Sequence, residues 1–427
     1  MAKAKDQIRI DALTGEESAI GRLFMDSGSA ALTDLSAVRL LRCGVDTVRQ
    51  LYKGVIRPEV RALFEQVGIV SFAGQDWAVG RIGRDSGYQF RLQNADLGFI
   101  LLIKSFNAQI DQFGSHLKIE VSPHAIEALS PEQLQAHIDR LAHAVLESAD
   151  LNQCAVHLAL DFQGWTPPAD FTARMHCRAR AQRDITGIDR IEWASKASVY
   201  GRGQTYMFGS ASGVQLSLYN KTEQAKAIDK LDYWQSVWLQ SDNPFDPADS
   251  FNYDPDQPVW RLELRFHHSV VQQFADGSIN TFTGAVIDTR SFSGIAPHLD
   301  GLWRYGLDSF RFLARPGHFD AFWTLIRSDV RVSVSAEPLD GQTVYKRYYK
   351  TAQGFSGKNV ELFLGNFISL LARERVPAKK AFKCLKQWDC WGVVREHYAC
   401  KGMSEGKLFE HIEKLLKERH VRWGRAV

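Results

Sequence analysis

Glu120, His157, Asp161, Tyr219, Lys221 and Glu263 are the residues of this chain whose types point to chemistry. Carboxylates together with an imidazole can hold a hard divalent cation such as Mg2+ or Mn2+. Such an ion polarises a phosphodiester and offsets charge on the departing oxygen. A tyrosine hydroxyl is a poor nucleophile at its ordinary pKa of about 10, and needs deprotonation or a cation nearby. Lys221, two residues beyond Tyr219, can bring that positive charge. Asp161, Glu263, Glu120 and His157 are the expected metal ligands, and Tyr219 and Lys221 the catalytic pair. Together they describe a metal-assisted tyrosine transesterification on DNA.

Four alternating stretches must position them. In His116–Ser122, Leu117, Ile119 and Val121 oppose Lys118, Glu120 and Ser122. In Val156–Phe162, the apolar side is Val156, Leu158, Leu160 and Phe162, and the other side carries His157, Ala159 and Asp161. Val214–Tyr219 sets Leu216 and Leu218 against Ser217 and Tyr219, with Lys221 continuing that side. Arg261–Phe266 sets Leu262, Leu264 and Phe266 against Arg261, Glu263 and Arg265. Period-two alternation is the signature of a strand with two unlike faces. If the strands share one sheet, helices cover the apolar side and the polar side gathers all six residues. A one-sided antiparallel sheet has a polar face in any case, so each residue alone also reads as plain surface.

Further strands are expected within Gly44–Gly54 and at Tyr88–Leu92 and Gly98–Ile103. Ser130-Pro131-Glu132-Gln133 is a helix start, with a serine cap, proline at the first helical position and glutamine completing a capping box. Leu134, Ile138, Leu141 and Val145 then recur at helical spacing. Ala197–Tyr200 and Gln204–Phe208 read as a hairpin around Gly201-Arg202-Gly203, and a polar helix follows Lys221. Ser241–Gln257 reads as a long irregular loop. Beyond Ser291 the pattern turns helical and basic. The expected fold class is α+β, an antiparallel-rich sheet with helices on one face plus a mainly helical C-terminal region. The expected division is 1–45, a helical N-terminal segment; 46–290, a catalytic nicking domain; and 291–427, a basic DNA-binding region.

At 427 residues, with 45% hydrophobic and 24% charged, the chain is long enough for two or three domains and is not mainly disordered. The longest apolar stretch, Leu97–Ile103, is too short to cross a membrane. Met-Ala-Lys-Ala-Lys-Asp-Gln lacks the apolar core of a secretory signal, so a cytoplasmic location is expected. Six irregularly placed cysteines do not form a disulfide framework. The net charge of +3 conceals an asymmetry: Gly341–Val427 carries 18 Lys/Arg against 8 Asp/Glu, and the first 340 residues 34 against 41. A basic segment on an acidic body suits a polyanion, and a solvated helical face equally.

At these residues the sequence resembles the trans-acting replication initiators of small rolling-circle plasmids and their relatives in filamentous bacteriophages. Lys118-Ile119-Glu120-Val121-Ser122-Pro123 matches that family's Arg-Val-Glu-Phe-Asn-Pro strand. Val156-His157-Leu158-Ala159-Leu160-Asp161-Phe162 matches its Leu-Asp-Leu-Ala-x-Asp-Phe strand, with His157 where the family has its first aspartate. Ser217-Leu218-Tyr219-Asn220-Lys221-Thr222-Glu223 is similar to the segment bearing the family's nicking tyrosine. Trp260-Arg261-Leu262-Glu263-Leu264 and Tyr206-Met207-Phe208-Gly209 complete five elements in order across Gly44–Phe274. The resemblance implies that Tyr219 attacks a phosphodiester at an origin, keeps a 5′-phosphotyrosyl link, and frees a 3′-hydroxyl to prime a polymerase. Reversal of the transfer then closes the displaced strand. Single-stranded and supercoiled double-stranded origin DNA, a host helicase and a polymerase in the bacterial host cell are the implied partners. Termination needs a second nicking event, which suggests a homodimer.

Arg261, Arg265, Arg202, Lys346 and Arg347 are the cations expected to contact DNA. Arg174, Arg178, Arg180 and Arg183 form a second basic cluster, for the DNA backbone or a solvated face. Tyr345, Tyr348 and Tyr349 among Lys346, Arg347 and Lys350 suit stacking on single-stranded DNA, or one strand and its edge. Tyr206 is the rival nucleophile, although its Phe-Gly context favours packing. Cys384, Cys390, His397 and Cys400 lack any Cys-x-x-Cys pair and read as ordinary thiols rather than a zinc site. His267 and His268, being adjacent, are expected on opposite faces of a strand end. Two rival functions remain: a conjugative relaxase or transposase-like strand transferase, and a non-catalytic origin-binding regulatory protein.

Overall fold

The computed structural model describes residues 4–64, 66, 68–83, 87–177, 182–185, 205–239, 253–277, 279–280, 284, 286–332, 343–345 and 357–423. The chain divides into two units, Met1–Tyr345 and Lys346–Val427.

In the first unit eleven strands form one sheet in which every neighbouring pair is antiparallel. Its spatial order is Gln182–Ile185, Thr205–Gly209, Val214–Asn220, Trp260–Phe266, Asp150–Gln163, Arg39–Gly54, Gly114–Val121, Phe99–Ser105, Tyr88–Asn94, Gln75–Arg81 and Gly68–Phe72. All four stretches expected to position the site are therefore in one sheet, and three of them adjoin: Val214–Asn220, Trp260–Phe266 and Asp150–Gln163. The fourth, Gly114–Val121, lies one strand beyond Arg39–Gly54.

The alternation buries Leu158, Leu160, Leu216, Leu218, Leu262 and Leu264 to 1% exposure or less. Each such side chain contributes about 1.5–3 kcal/mol on leaving water. Helices Pro131–Val145, His268–Gly277, Leu299–Ser309 and Ala321–Asp329 bring Ile138, Phe274, Trp303 and Trp323 to the same core. The capping box starts the first of these: the Gln133 backbone N–H donates to Ser130 Oγ at 3.2 Å, and the Ser130 N–H to Gln133 Oε1 at 3.1 Å.

Two departures from the expected division have local causes. The first 45 residues are not a helical segment but short antiparallel strands, Ile8–Ile10, Leu23–Met25 and Leu32–Asp34, leading into Arg39–Gly54. Asp11 Oδ1 accepts from the N–H of Leu13 and Thr14 at 2.8 and 3.0 Å, and Asp26 Oδ1 from Gly28 at 2.8 Å. Aspartates that offer backbone bonds of this kind favour turns over helix. Phe24 is buried in the main core, and Arg315 pairs with Asp26 at 2.8 Å, so the segment belongs to the first unit. The described residues from 291 to 332 also pack there, through Phe292, Trp303, Phe312 and Trp323.

The second unit is helical where described, with Gly357–Arg373, Ala378–Lys386, Trp391–Cys400 and Glu405–Trp423 around Leu364, Ile368, Leu385, Ile412 and Leu416. No described helix is long and apolar enough to cross a membrane.

Candidate active site

Register decides which polar side chains meet. Glu263 lies opposite Ala159 on one neighbouring strand and Ser217 on the other. Arg261 lies between Asp161 and Tyr219, and Arg265 between His157 and Gln215. The polar face opens into a cavity of about 590 Å³ whose lining includes Asp46, His157, Tyr219, Lys221, Glu263 and Arg265.

Glu263 is the hub. It is 2% exposed, and accepts from Arg265 Nε at 2.8 Å and Nη2 at 2.7 Å. His157 Nδ1 is 3.1 Å from Glu263 Oε1, and the Tyr219 hydroxyl donates to Oε2 at 3.4 Å. Burial raises the Glu263 carboxyl, but Arg265 and His157 outweigh it, so Glu263 stays ionised well below the usual carboxylate range. Burial first, then Glu263, lifts the Tyr219 phenol well above its ordinary 10.0. Burial also lowers the His157 imidazole and keeps it neutral at neutral pH. With Nδ1–H turned to Glu263, Nε2 retains a lone pair.

Sequence reasoning missed Asp46. One ligand atom each of Asp46, His157 and Glu263 lie within 4.8 Å of one another, the only such group among the described residues. Two carboxylates and a neutral imidazole fit Mg2+ or Mn2+ by donor chemistry. A β-bulge places Asp46: His157 faces Thr47, yet Leu158 faces Val45, so Asp46 is the extra residue. Val45 and Val48 are both in the core, a spacing of three that strict alternation forbids and the bulge permits. That irregular spacing was the available signal.

Asp161 shares the face but stands outside the Asp46–His157–Glu263 group and does not line the cavity. Arg261 Nε and Nη2 donate to its two oxygens at 2.5 and 2.6 Å, Trp238 Nε1 donates at 2.9 Å, and Asp161 is 0% exposed. Arg261, expected at DNA, is 0% exposed and reaches Asp46 with Nη1 at 2.5 Å. The cause is the helix Leu231–Leu239, which lays Trp234 over the polar face at this end, its ring centroid 4.1 Å from the Arg261 guanidinium. Lys221 Nζ lies 4.2 Å from the same ring and donates to Gln224 Oε1 at 2.7 Å. Burial, reinforced by Arg261, lowers the Lys221 amine to about 7. Near neutral pH Lys221 is thus protonated only in part, and is not the standing cation expected.

Glu120 is also diverted, to Arg49 at 3.0 Å and Lys118 at 3.2 Å. Arg265 keeps the expected exposure to the cavity, at 35% of its side chain. Arg202, Lys346 and Arg347 lie outside the described residues, as do Arg178, Arg180, Tyr348 and Tyr349. Tyr206 is buried against Phe171, with ring centroids 5.0 Å apart. Arg174 is held by Asp320 and by the Leu313 carbonyl, the latter at 2.9 Å. His267 and His268 do not diverge: their ring centroids lie 3.9 Å apart at an interplanar angle of 38° and both line the cavity, because a helix starts at His268 and ends the alternation.

No family model matches the chain, and no solved structure matches it significantly. A relative is 58% identical over 409 residues, 95% of each chain: "Uncharacterized protein ORF430" of Pseudomonas phage Pf1, a filamentous phage. The chain belongs to the family of this filamentous-phage protein.

Proposed function

We propose that the protein nicks and rejoins DNA through Tyr219 to initiate rolling-circle replication of a filamentous phage. The observation that carries this reading is the contact of the Tyr219 hydroxyl with Glu263 at 3.4 Å, beside the Asp46–His157–Glu263 cluster in one polar cavity. The phage relative supports phage replication over conjugative transfer.

In the proposed reaction the Tyr219 oxygen attacks the phosphorus of a DNA phosphodiester. Its proton leaves to water in the cavity, because Glu263, which accepts the Tyr219 hydroxyl bond and orients it, is held ionised by Arg265. The bond from phosphorus to the 3′-oxygen breaks, and that oxygen takes a proton from water. The products are a 5′-phosphotyrosyl link and a free 3′-hydroxyl, and attack by a 3′-hydroxyl on the link reverses the step. Asp46, His157 and Glu263 would hold Mg2+ or Mn2+, which supplies positive charge against the phosphodiester. Arg265 would face the phosphate from the cavity wall. Single-stranded and supercoiled origin DNA would be the substrates, with host helicase and polymerase acting on the opened strand.

The test is incubation with supercoiled DNA of the genetic element that encodes the chain. Relaxation to a nicked circle with Mg2+ or Mn2+, abolished by EDTA, is expected. Binding without nicking under either metal would sink the catalytic reading.

A further inference from the structure

The excess positive charge of the second unit is not spread evenly. The helix Ala378–Lys386 carries Lys379, Lys380, Lys383 and Lys386 and no acidic residue, whereas Glu405–Trp423 interleaves its cations with Glu410, Glu413 and Glu418. Ala381 and Leu385 are buried, and Ala378 and Phe382 pack against the same core. Those positions follow helical spacing, so the four lysines share the opposite side, where all four are exposed. Arg373 and Arg375, just before the helix, are exposed too. Lys386 pairs with Glu405, while Lys379, Lys380 and Lys383 have no ion pair among the described residues.

We infer that the lysine face of Ala378–Lys386 docks on the phosphate backbone of duplex DNA. Lys379 to Lys386 spans about 10 Å at 1.5 Å per residue. Duplex DNA presents a phosphate about every 3.4 Å of each strand, so the helix matches about three nucleotide steps. No apolar side chain stands among the lysines to enter a lipid surface. Phe382 and Trp391 lie beside Lys386, but among the described residues no ring stands within reach of Lys379, Lys380 or Lys383, so the bases of a single strand have no stacking platform along the three unpaired lysines. The partner is therefore a regular polyanion read by charge, without sequence preference. The surface uses no residue of the Tyr219 cavity.

The test uses the full chain and a random-sequence duplex in EDTA, with affinity measured from 50 to 300 mM KCl. No nick or divalent cation is involved, so the outcome stands apart from whether Tyr219 cuts DNA. The triple variant K379E/K380E/K383E is compared with K407E/K414E/K417E, which changes the net charge equally on exposed lysines of another helix. Both variants are checked for wild-type melting. The first triple is expected to lose roughly 30-fold or more in affinity, and about 2.7 from the slope of log K against log salt, at 0.9 per phosphate contact. The control triple is expected to retain most of the binding and the slope. Equal losses from both triples would reduce the effect to net charge and overturn the inference. So would an unchanged slope in the first triple. Failure of wild type to bind the duplex, whether or not it binds phosphatidylserine vesicles, would overturn it as well.

Discussion

Arg261 grips Asp161 through both carboxylate oxygens, at 2.5 and 2.6 Å, and neither side chain is exposed. Its remaining nitrogen reaches Asp46 at 2.5 Å. One guanidinium thereby holds two aspartates in different settings, a buried anchor and a cavity-lining carboxylate. Trp238 completes the anchor from above the polar face.

Asp161→Asn should destabilise the protein by about 3–5 kcal/mol, because it leaves Arg261 charged, buried and half-paired. Asp46→Asn should cost less stability, since Asp161 still holds Arg261. Mn2+ affinity should divide the other way, with Asp46→Asn weakened at least tenfold and Asp161→Asn little changed. Calorimetric melts and Mn2+ titration on the same samples check this. Equal loss of Mn2+ affinity in both variants would contradict the assignment.

Lys221 makes the folded state pH-sensitive. Its amine titrates at about 7 in the folded protein, lowered by burial and Arg261 from an ordinary 10.5. Between these values the unfolded chain binds the proton and the folded chain does not, so this group makes stability rise with pH across that window. Lys221→Met should therefore melt above wild type at pH 7, and the gap should narrow toward pH 10. A pH-independent gap would mean that the amine stays charged when buried.

Glu120→Gln should leave Mn2+ affinity unchanged, because Glu120 is spent on Arg49 and Lys118. Both pairs are partly exposed, so the stability loss should stay near 1 kcal/mol. A tenfold loss of Mn2+ affinity in this variant would place Glu120 back at the metal.

Period-two alternation was enough to put His157, Tyr219 and Glu263 on one face, because each strand repeats faithfully where those residues sit. It could not place Asp46. The bulge opposite His157 is a property of pairing between residues more than a hundred positions apart. Alternation also could not tell a ligand from an anchor: Asp161 has the same parity as His157, and only Arg261 across the register and the Trp234–Trp238 helix decide its role. The N-terminal strands escaped notice because their runs are three residues long and Asp11 and Asp26 supply the turns. The basic C-terminal composition was plain, but its concentration on one lysine face needed the helix boundaries.

In the proposed reaction Tyr219 is the nucleophile that becomes joined to DNA. The most direct test is recovery of the protein–DNA adduct formed on supercoiled DNA of the encoding element with Mn2+, followed by mass spectrometry of the modified peptide. A 5′-phosphate on Tyr219 is expected in the wild type, and no adduct in Tyr219→Phe at wild-type melting temperature. An adduct that persists in Tyr219→Phe, or one mapped to another residue in the wild type, would contradict it.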